Sequence, residues 1–300
     1  MEPFPTPADE QPGPSVLELV RPAKLLKVDI AEAIRDLSPA EVRFLVDSYY
    51  AIQDYRMQAA NQARALTASA EPNRLTGWMF GQFEFLEKQV RAVLDAYSAS
   101  KAVGRWARAN VGIGPVLSSG LLAHIDISKA PTVGHIWSFA GLNPAAVWAK
   151  GEKRPWNARL KVLCWKIGQS MMKCSGRDDC LYGKLWRKRK DLEIARNEAG
   201  SFAGQAKAVL EKKKIGKDTE ARKHYEAGHL PPGHIEARAE RWAVKIFLAH
   251  WHEAAFVDAY HKLPPKPYVL EHVEGHSTEI VPQHLEEING WAELRSQGRG

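Results

Sequence analysis

Along most of the chain, apolar residues return every three or four positions, the repeat that puts them on one side of an α-helix. Val42, Leu45, Tyr49, Ile52, Ala59, Ala63 and Leu66 fall on one such stripe, and Met79, Phe83, Leu86, Val90, Val93 and Tyr97 on a second. Ser38-Pro39-Ala40-Glu41 starts the first. The serine is a cap, the proline has the φ of a first helical turn, and the glutamate closes a capping box. Glu71-Pro72-Asn73 separates the two stripes. Two long helices joined by so short a break predict an antiparallel helical hairpin, an arm covering residues 17–104. Lys27-Val-Asp29-Ile30 alone has a faint strand-like alternation.

Further on, Leu117, Leu121, Leu122 and Ile125 mark a helix, and another runs over 132–140 to the stop signal Gly141 with Pro144 beyond it. Helices are expected over 157–172, 179–196 and 235–261. Two short polar helices divided at Gly216 are expected in 200–228. Leu160, Val162, Leu163, Trp165 and Ile167 are read as the apolar face of the first of these, and Trp242, Ile246, Phe247, Trp251, Phe256 and Tyr260 as that of the last. The expected fold is all-α: a helical hairpin arm, a helix-hairpin-helix domain over 105–175 and a basic helical domain over 176–262. A proline-rich disordered segment (1–16) and a flexible tail (263–300) would flank them.

Between the arm and the basic domain lies Gly112-Ile113-Gly114-Pro115. Two glycines allow the chain to turn at positive φ, and the proline presets the following helix. A corner of this kind leaves backbone N–H groups at a helix start, where the helix dipole favours a phosphate. Gly112, Ile113 and Gly114 are therefore candidate phosphate-binding residues, with Ser118 in the first turn beyond them.

The run from Gly112 to Pro144, GIGPVLSSGLLAHIDISKAPTVGHIWSFAGLNP, followed by Lys153-Arg154 and by Asn157-Ala-Arg-Leu160, resembles the carboxy-terminal domain of the DEDD-type insertion-sequence transposases, the family guided by a bridge RNA. The resemblance covers residues 105–175. It implies a helix-hairpin-helix domain working on DNA, with structured RNA as a further partner. Two family features have no counterpart. Nothing before residue 100 has the strand pattern of a RuvC-like domain with its four acidic metal ligands. Nor does a serine nucleophile follow the Gly-Leu-x-Pro, since no serine occurs between Ser138 and Ser170.

Charge sharpens this picture. The whole chain carries a formal net charge of +7, yet residues 150–190 hold thirteen Lys or Arg against three acids, Glu152, Asp178 and Asp179. Such concentration is the footprint of phosphate contact. Lys150, Lys153, Arg154, Arg159, Lys184, Arg187, Lys188, Arg189 and Lys190 are the expected DNA-binding cations. Trp148, Trp156, Trp165 and Trp186 lie among them, and a tryptophan in such company can stack on an unpaired base or belong to the core.

The remaining chemistry is sparse. Three cysteines, Cys164, Cys174 and Cys180, do not make a disulfide framework and point to a reducing cytoplasm. Cys174 and Cys180 with His229 and His234 make a remote zinc set, at a spacing wider than usual. His250 and His252 stand two residues apart and so do not share a helical face. No cofactor is expected and no membrane partner. The preferred function is a DNA-binding protein of a mobile element without its own catalytic centre. One alternative is a transposase or recombinase subunit whose acidic catalytic domain comes from another polypeptide. Another is an assembly protein that forms homo-oligomers through the arm.

Overall fold

A computed structural model of the protein describes residues 24–266 and 280–298. Its described residues are helical without a β-strand, as the apolar repeat predicts. The chain divides into two compact units, Met1–Ala96 and Tyr97–Gly300.

The first unit holds α1 (Lys27–Asp36), α2 (Pro39–Ala68) and most of α3 (Arg74–Ala99). The strand-like alternation at Lys27-Val-Asp29-Ile30 opens α1 instead, with the Leu26 N–H donating 3.1 Å to the Asp29 carboxylate across the first turn. The capping box before α2 is formed. Glu41 N donates to Ser38 Oγ (3.2 Å) and Ser38 N to Glu41 Oε2 (2.9 Å), which holds the Glu41 carboxyl below its usual range. α2 and α3 pair as expected: Tyr55 stacks on Phe83 at 5.6 Å between ring centres, Gln53 donates 3.2 Å to Glu87, and Arg56 pairs with the same carboxylate.

The second unit is built on one long helix. Short helices α4 (Ala102–Ala109), α5 (Pro115–His124) and α6 (Val133–Phe139) come first. α7 (Ala158–Lys173), α8 (Leu181–Glu198), α9 (Ala203–Lys212) and α10 (Glu220–Glu226) follow, then α11 (Pro232–Tyr260) and α12 (Trp291–Gln297). α4, α6, α7 and α8 all pack on α11. Phe247 of α11 lies between Trp106 of α4 (5.8 Å, stacked) and Tyr182 of α8 (5.1 Å, edge-on). Leu121, Ile136, Leu160, Ile167, Met171 and Trp251 complete a continuous buried core, so the expected division between a 105–175 domain and a 176–262 domain is not seen.

Two further expectations are corrected. Val162 and Trp165 lie outside the core, because the buried stripe of α7 is Leu160, Leu163, Cys164, Ile167, Gly168 and Met171, a strict helical repeat half a turn away from them. The tail is also not free over 280–298, although 267–279 and the expected disorder of 1–16 lie outside the described residues. Trp291 and Ile288 are buried, the Trp106 indole donates 2.9 Å to the Gln283 carbonyl, and His250 Nε2 lies 2.7 Å from the Ile280 carbonyl. That carbonyl makes Nε2 the donor, leaving His250 Nδ1 to accept from the Tyr182 hydroxyl at 2.8 Å. His252 lies 2.8 Å from the Ala130 carbonyl, so both histidines serve the core.

α7 and α11 cross where Gly168 meets the side chain of buried Glu240, too closely for a Cβ at that position. Burial raises the Glu240 carboxyl above its usual range, against a 3.0 Å hydrogen bond from Gln169 that lowers it. A raised folded-state value means that stability falls as the pH climbs from the ordinary glutamate range towards the folded one. Glu240→Gln is therefore expected to raise the melting temperature at pH 7 and to leave it nearly unchanged at pH 4. Equal melting curves at neutral pH would contradict this.

Candidate nucleic-acid interface

The glycine corner forms as the residues dictate. Asn110 caps the end of α4, Gly112 turns at φ +95°, and Gly114 is the N-cap of α5 with Pro115 at its first position. Ser170 of α7 donates 2.6 Å to the Gly112 carbonyl, fixing the corner to the next layer. Gly112 and Gly114 remain half-exposed. Ile113 does not serve as expected: its side chain is buried in the core, and its N–H donates 3.1 Å to the Asn110 carbonyl. Ser118 is also withdrawn, since it is 0% exposed and its hydroxyl donates 3.1 Å to the Gly104 carbonyl between α4 and α5. In the first turn of α5 Pro115 has no N–H, Ser118 N donates 3.0 Å to the Gly114 carbonyl, and Val116 and Leu117 between them are buried, so what the corner presents outward is the half-exposed backbone of Gly112 and Gly114.

Gly141, at φ +65°, ends α6 in a Schellman turn, with Leu142 N donating 2.8 Å to the Trp137 carbonyl and Gly141 N 3.0 Å to that of Ser138. The loop that follows carries Lys150, Lys153 and Arg154, all exposed. It is held in shape by its own residues. The Trp148 indole donates 2.7 Å to the Glu152 carbonyl, and the Arg154 guanidinium lies 5.0 Å over the Trp148 ring. Asn157 N donates 2.8 Å back to the Phe139 carbonyl, while the Asn157 side chain accepts 3.0 Å from Leu160 N and so starts α7. The outward face of α7 then presents Arg159, Lys161, Val162, Trp165 and Lys173 to solvent, with Lys166 half-buried beside them. Lys161 lies 4.4 Å over the Trp156 ring.

On α8 the expected cluster divides. Lys184, Arg187 and Lys188 are exposed, with Arg187 also donating 3.1 Å to Ser175. Arg189 and Lys190 are not available in the same way. Arg189 donates 2.7 Å to Glu193, and Lys190 donates 3.1 Å to Glu236 on α11 while lying 5.0 Å over Trp186. Glu193 itself is 1% exposed and also accepts 2.8 Å from Arg238, so this half of the cluster holds α8 to α11. The helical repeat explains the division, because the residues at 189, 190 and 193 turn towards α11 while 184, 187 and 188 turn away.

The zinc set does not assemble: among the described residues no three His, Cys, Asp or Glu side chains come together as a metal site. Cys180 is buried with its thiol 3.7 Å from the Val111 carbonyl, and burial pushes the Cys164 thiol up to about 12. His234 meets Tyr225 at 3.2 Å, and His229 lines a cavity of about 390 Å³ with Asn197, Leu230 and Ile235. Asp179 is taken by Arg177 at 2.7 Å. Among the described residues no helix is long and apolar enough to cross a membrane.

Lys161 and Val162 belong to this surface without having been expected there, and Trp165, for which both base stacking and a place in the core stood open, lies on it as well. The signal was present in the phase of α7, where the six buried positions already account for one complete face. No family model, curated protein or solved structure matches the chain.

Proposed function

We propose that the protein binds nucleic acid, duplex DNA foremost, through phosphate contacts on the surface formed by the 144–157 loop, the outer face of α7 and the exposed part of α8. The observation that carries this reading is the sorting of the cations. Lys150, Lys153, Arg154, Arg159, Lys184, Arg187 and Lys188 are exposed, against the acids Glu152, Asp178, Asp179 and Asp191, of which Asp178 lies 4.0 Å from Lys184. Such a surface attracts phosphates by releasing condensed counterions and reads no sequence by itself. The half-exposed backbone of Gly112 and Gly114 at the start of α5 supports it. The further reading, a DNA-binding protein of a mobile element with structured RNA as a second partner, rests on the resemblance of residues 105–175 to the transposase carboxy-terminal domain.

The test is an affinity titration over salt with duplex DNA, single strands and structured RNA. Wild-type affinity for duplex should fall steeply with salt. In the triple variant Lys153→Ala, Arg154→Ala, Lys188→Ala, the slope of log affinity against log salt should flatten by about 0.9 for each phosphate that is no longer neutralised, a change of about 2–3 in all. Lys190→Ala, which removes a cation held by Glu236, should leave that slope unchanged. A duplex affinity indifferent to both salt and the triple substitution would refute the proposal.

A further inference from the structure

The outer face of α7 poses a problem that phosphate contact does not solve. Trp165 is 57% exposed and Val162, one turn before it, 52% exposed. A tryptophan more than half exposed, on a helix that already buries six residues, adds little to folding for its size. Its surroundings limit what could cover it. Residues 139–173 carry seven Lys or Arg (150, 153, 154, 159, 161, 166 and 173) and a single acid, Glu152. The centre of a protein–protein interface is depleted in charge, so a protein partner is a poor occupant for an indole among so many like charges.

A polyanion with flat apolar plates along it meets both conditions. Lys161 connects them physically: its ammonium lies 4.4 Å over the Trp156 ring, and on α7 it stands one turn before Trp165. The lysine is thus already seated on an aromatic face beside the open one. A second indole on the preceding loop, Trp148, has the same composition, with Arg154 over its ring at 5.0 Å.

We infer that Trp165, backed by Val162 and flanked by Lys161 and Lys166, is a stacking platform for an unpaired nucleobase, so that the chain's nucleic-acid ligand includes an unpaired stretch next to the duplex held through phosphates. This rests on the nucleic-acid reading above and adds to it what phosphates cannot provide, a preference for bases that are out of a helix. Duplex bases are stacked on each other and present no face to Trp165. Bases in a loop, a junction or a single strand do.

The experiment compares a single-stranded oligothymidylate with an abasic strand of equal length, which keeps the phosphates and lacks the plates. The wild-type protein should bind the oligothymidylate about tenfold more tightly at a given salt concentration. Its tryptophan fluorescence should be quenched by that strand and not by the abasic one. Trp165→Leu should lower the oligothymidylate affinity to the abasic level, with affinity for the abasic strand and for duplex unchanged. Because Trp165 is exposed, the variant should melt at the wild-type temperature, and the wild-type comparison of the two strands decides the matter without any variant. Salt-sensitive but equal binding of the two strands would overturn the stacking platform and leave the phosphate surface standing. A base preference that survives Trp165→Leu would overturn the assignment to this residue. Absence of salt-sensitive binding to either strand would overturn both readings together.

Discussion

Replacing Glu193 by alanine is expected to destabilise the second unit by about 3–5 kcal/mol, the cost of removing one partner from a buried ion pair. The carboxylate is buried, with Arg189 donating to one oxygen at 2.7 Å and Arg238 to the other at 2.8 Å. Neither arginine has an easy way out. The Arg189 guanidinium lies 5.4 Å over the Trp242 ring, and that of Arg238 lies 4.4 Å over Phe202 while donating 3.0 Å to Gln205. Without the carboxylate, two cations face each other where α8, α9 and α11 meet. Glu193→Gln keeps the shape and one acceptor, so it should cost less than alanine.

The pH dependence separates this from a packing defect. Burial alone would raise the Glu193 carboxyl, but the hydrogen bonds from Arg238 and Arg189 outweigh it and hold the group below its usual range. A lowered folded-state value stabilises fully above the unfolded glutamate value of about 4.3 and is lost as the pH falls below it. Denaturant midpoints at pH 7 and pH 3 should therefore show a wide gap between wild type and Glu193→Ala that narrows in acid. A gap under about 1 kcal/mol at pH 7, the size of an exposed pair, or one that does not narrow, would show that the triad does not hold these helices together.

Trp291→Ala should be as damaging, by about 3–5 kcal/mol for the loss of a fully buried aromatic side chain. Its ring meets Trp106 edge-on at 5.8 Å, and its indole N–H donates 2.8 Å to Glu253, which also pairs with Arg295. Trp291→Phe keeps much of the ring and loses the donor, so it should cost about 1–3 kcal/mol. Thermal melting of the three proteins tests the order. Should Trp291→Ala melt with the wild type, residues 280–298 would not be an integral part of the folded unit.

The fold was legible wherever one physical cause fixed one element. Ser38-Pro39-Ala40-Glu41 gives the start of α2 and Gly141 the end of α6, since a capping box and a positive-φ glycine each have one geometric use. The tail was not legible although Leu285, Ile288, Trp291 and Leu294 recur every third residue, because Gly290 at φ +73° interrupts the run and the short pieces on either side are too brief to hold as helices without tertiary partners. The tail is ordered by Trp106 and Glu253, which stand 177 and 38 residues along the sequence from their partners Gln283 and Trp291. The site was legible in part for the same reason. Counting cations finds the stretch 150–190, but whether one faces solvent depends on which acid the fold brings to it. Glu236, from a helix 46 residues later, engages Lys190 and leaves it only partly exposed, and Glu193 does the same to Arg189. Ser118 is a residue whose local position promised a ligand and whose tertiary neighbour, the Gly104 carbonyl, takes it instead.

The dependence of α4, α6, α7 and α8 on α11 has a consequence for how the polypeptide acquires its shape. During synthesis the segment bearing the glycine corner leaves the ribosome long before the helix that must cover it, and loop closure over such separations slows folding. The corner and its flanking helices are thus not an excisable cassette: cut off at residue 175, they would keep Trp106, Leu160 and Ile167 uncovered and would associate with one another before they could display any surface to a ligand.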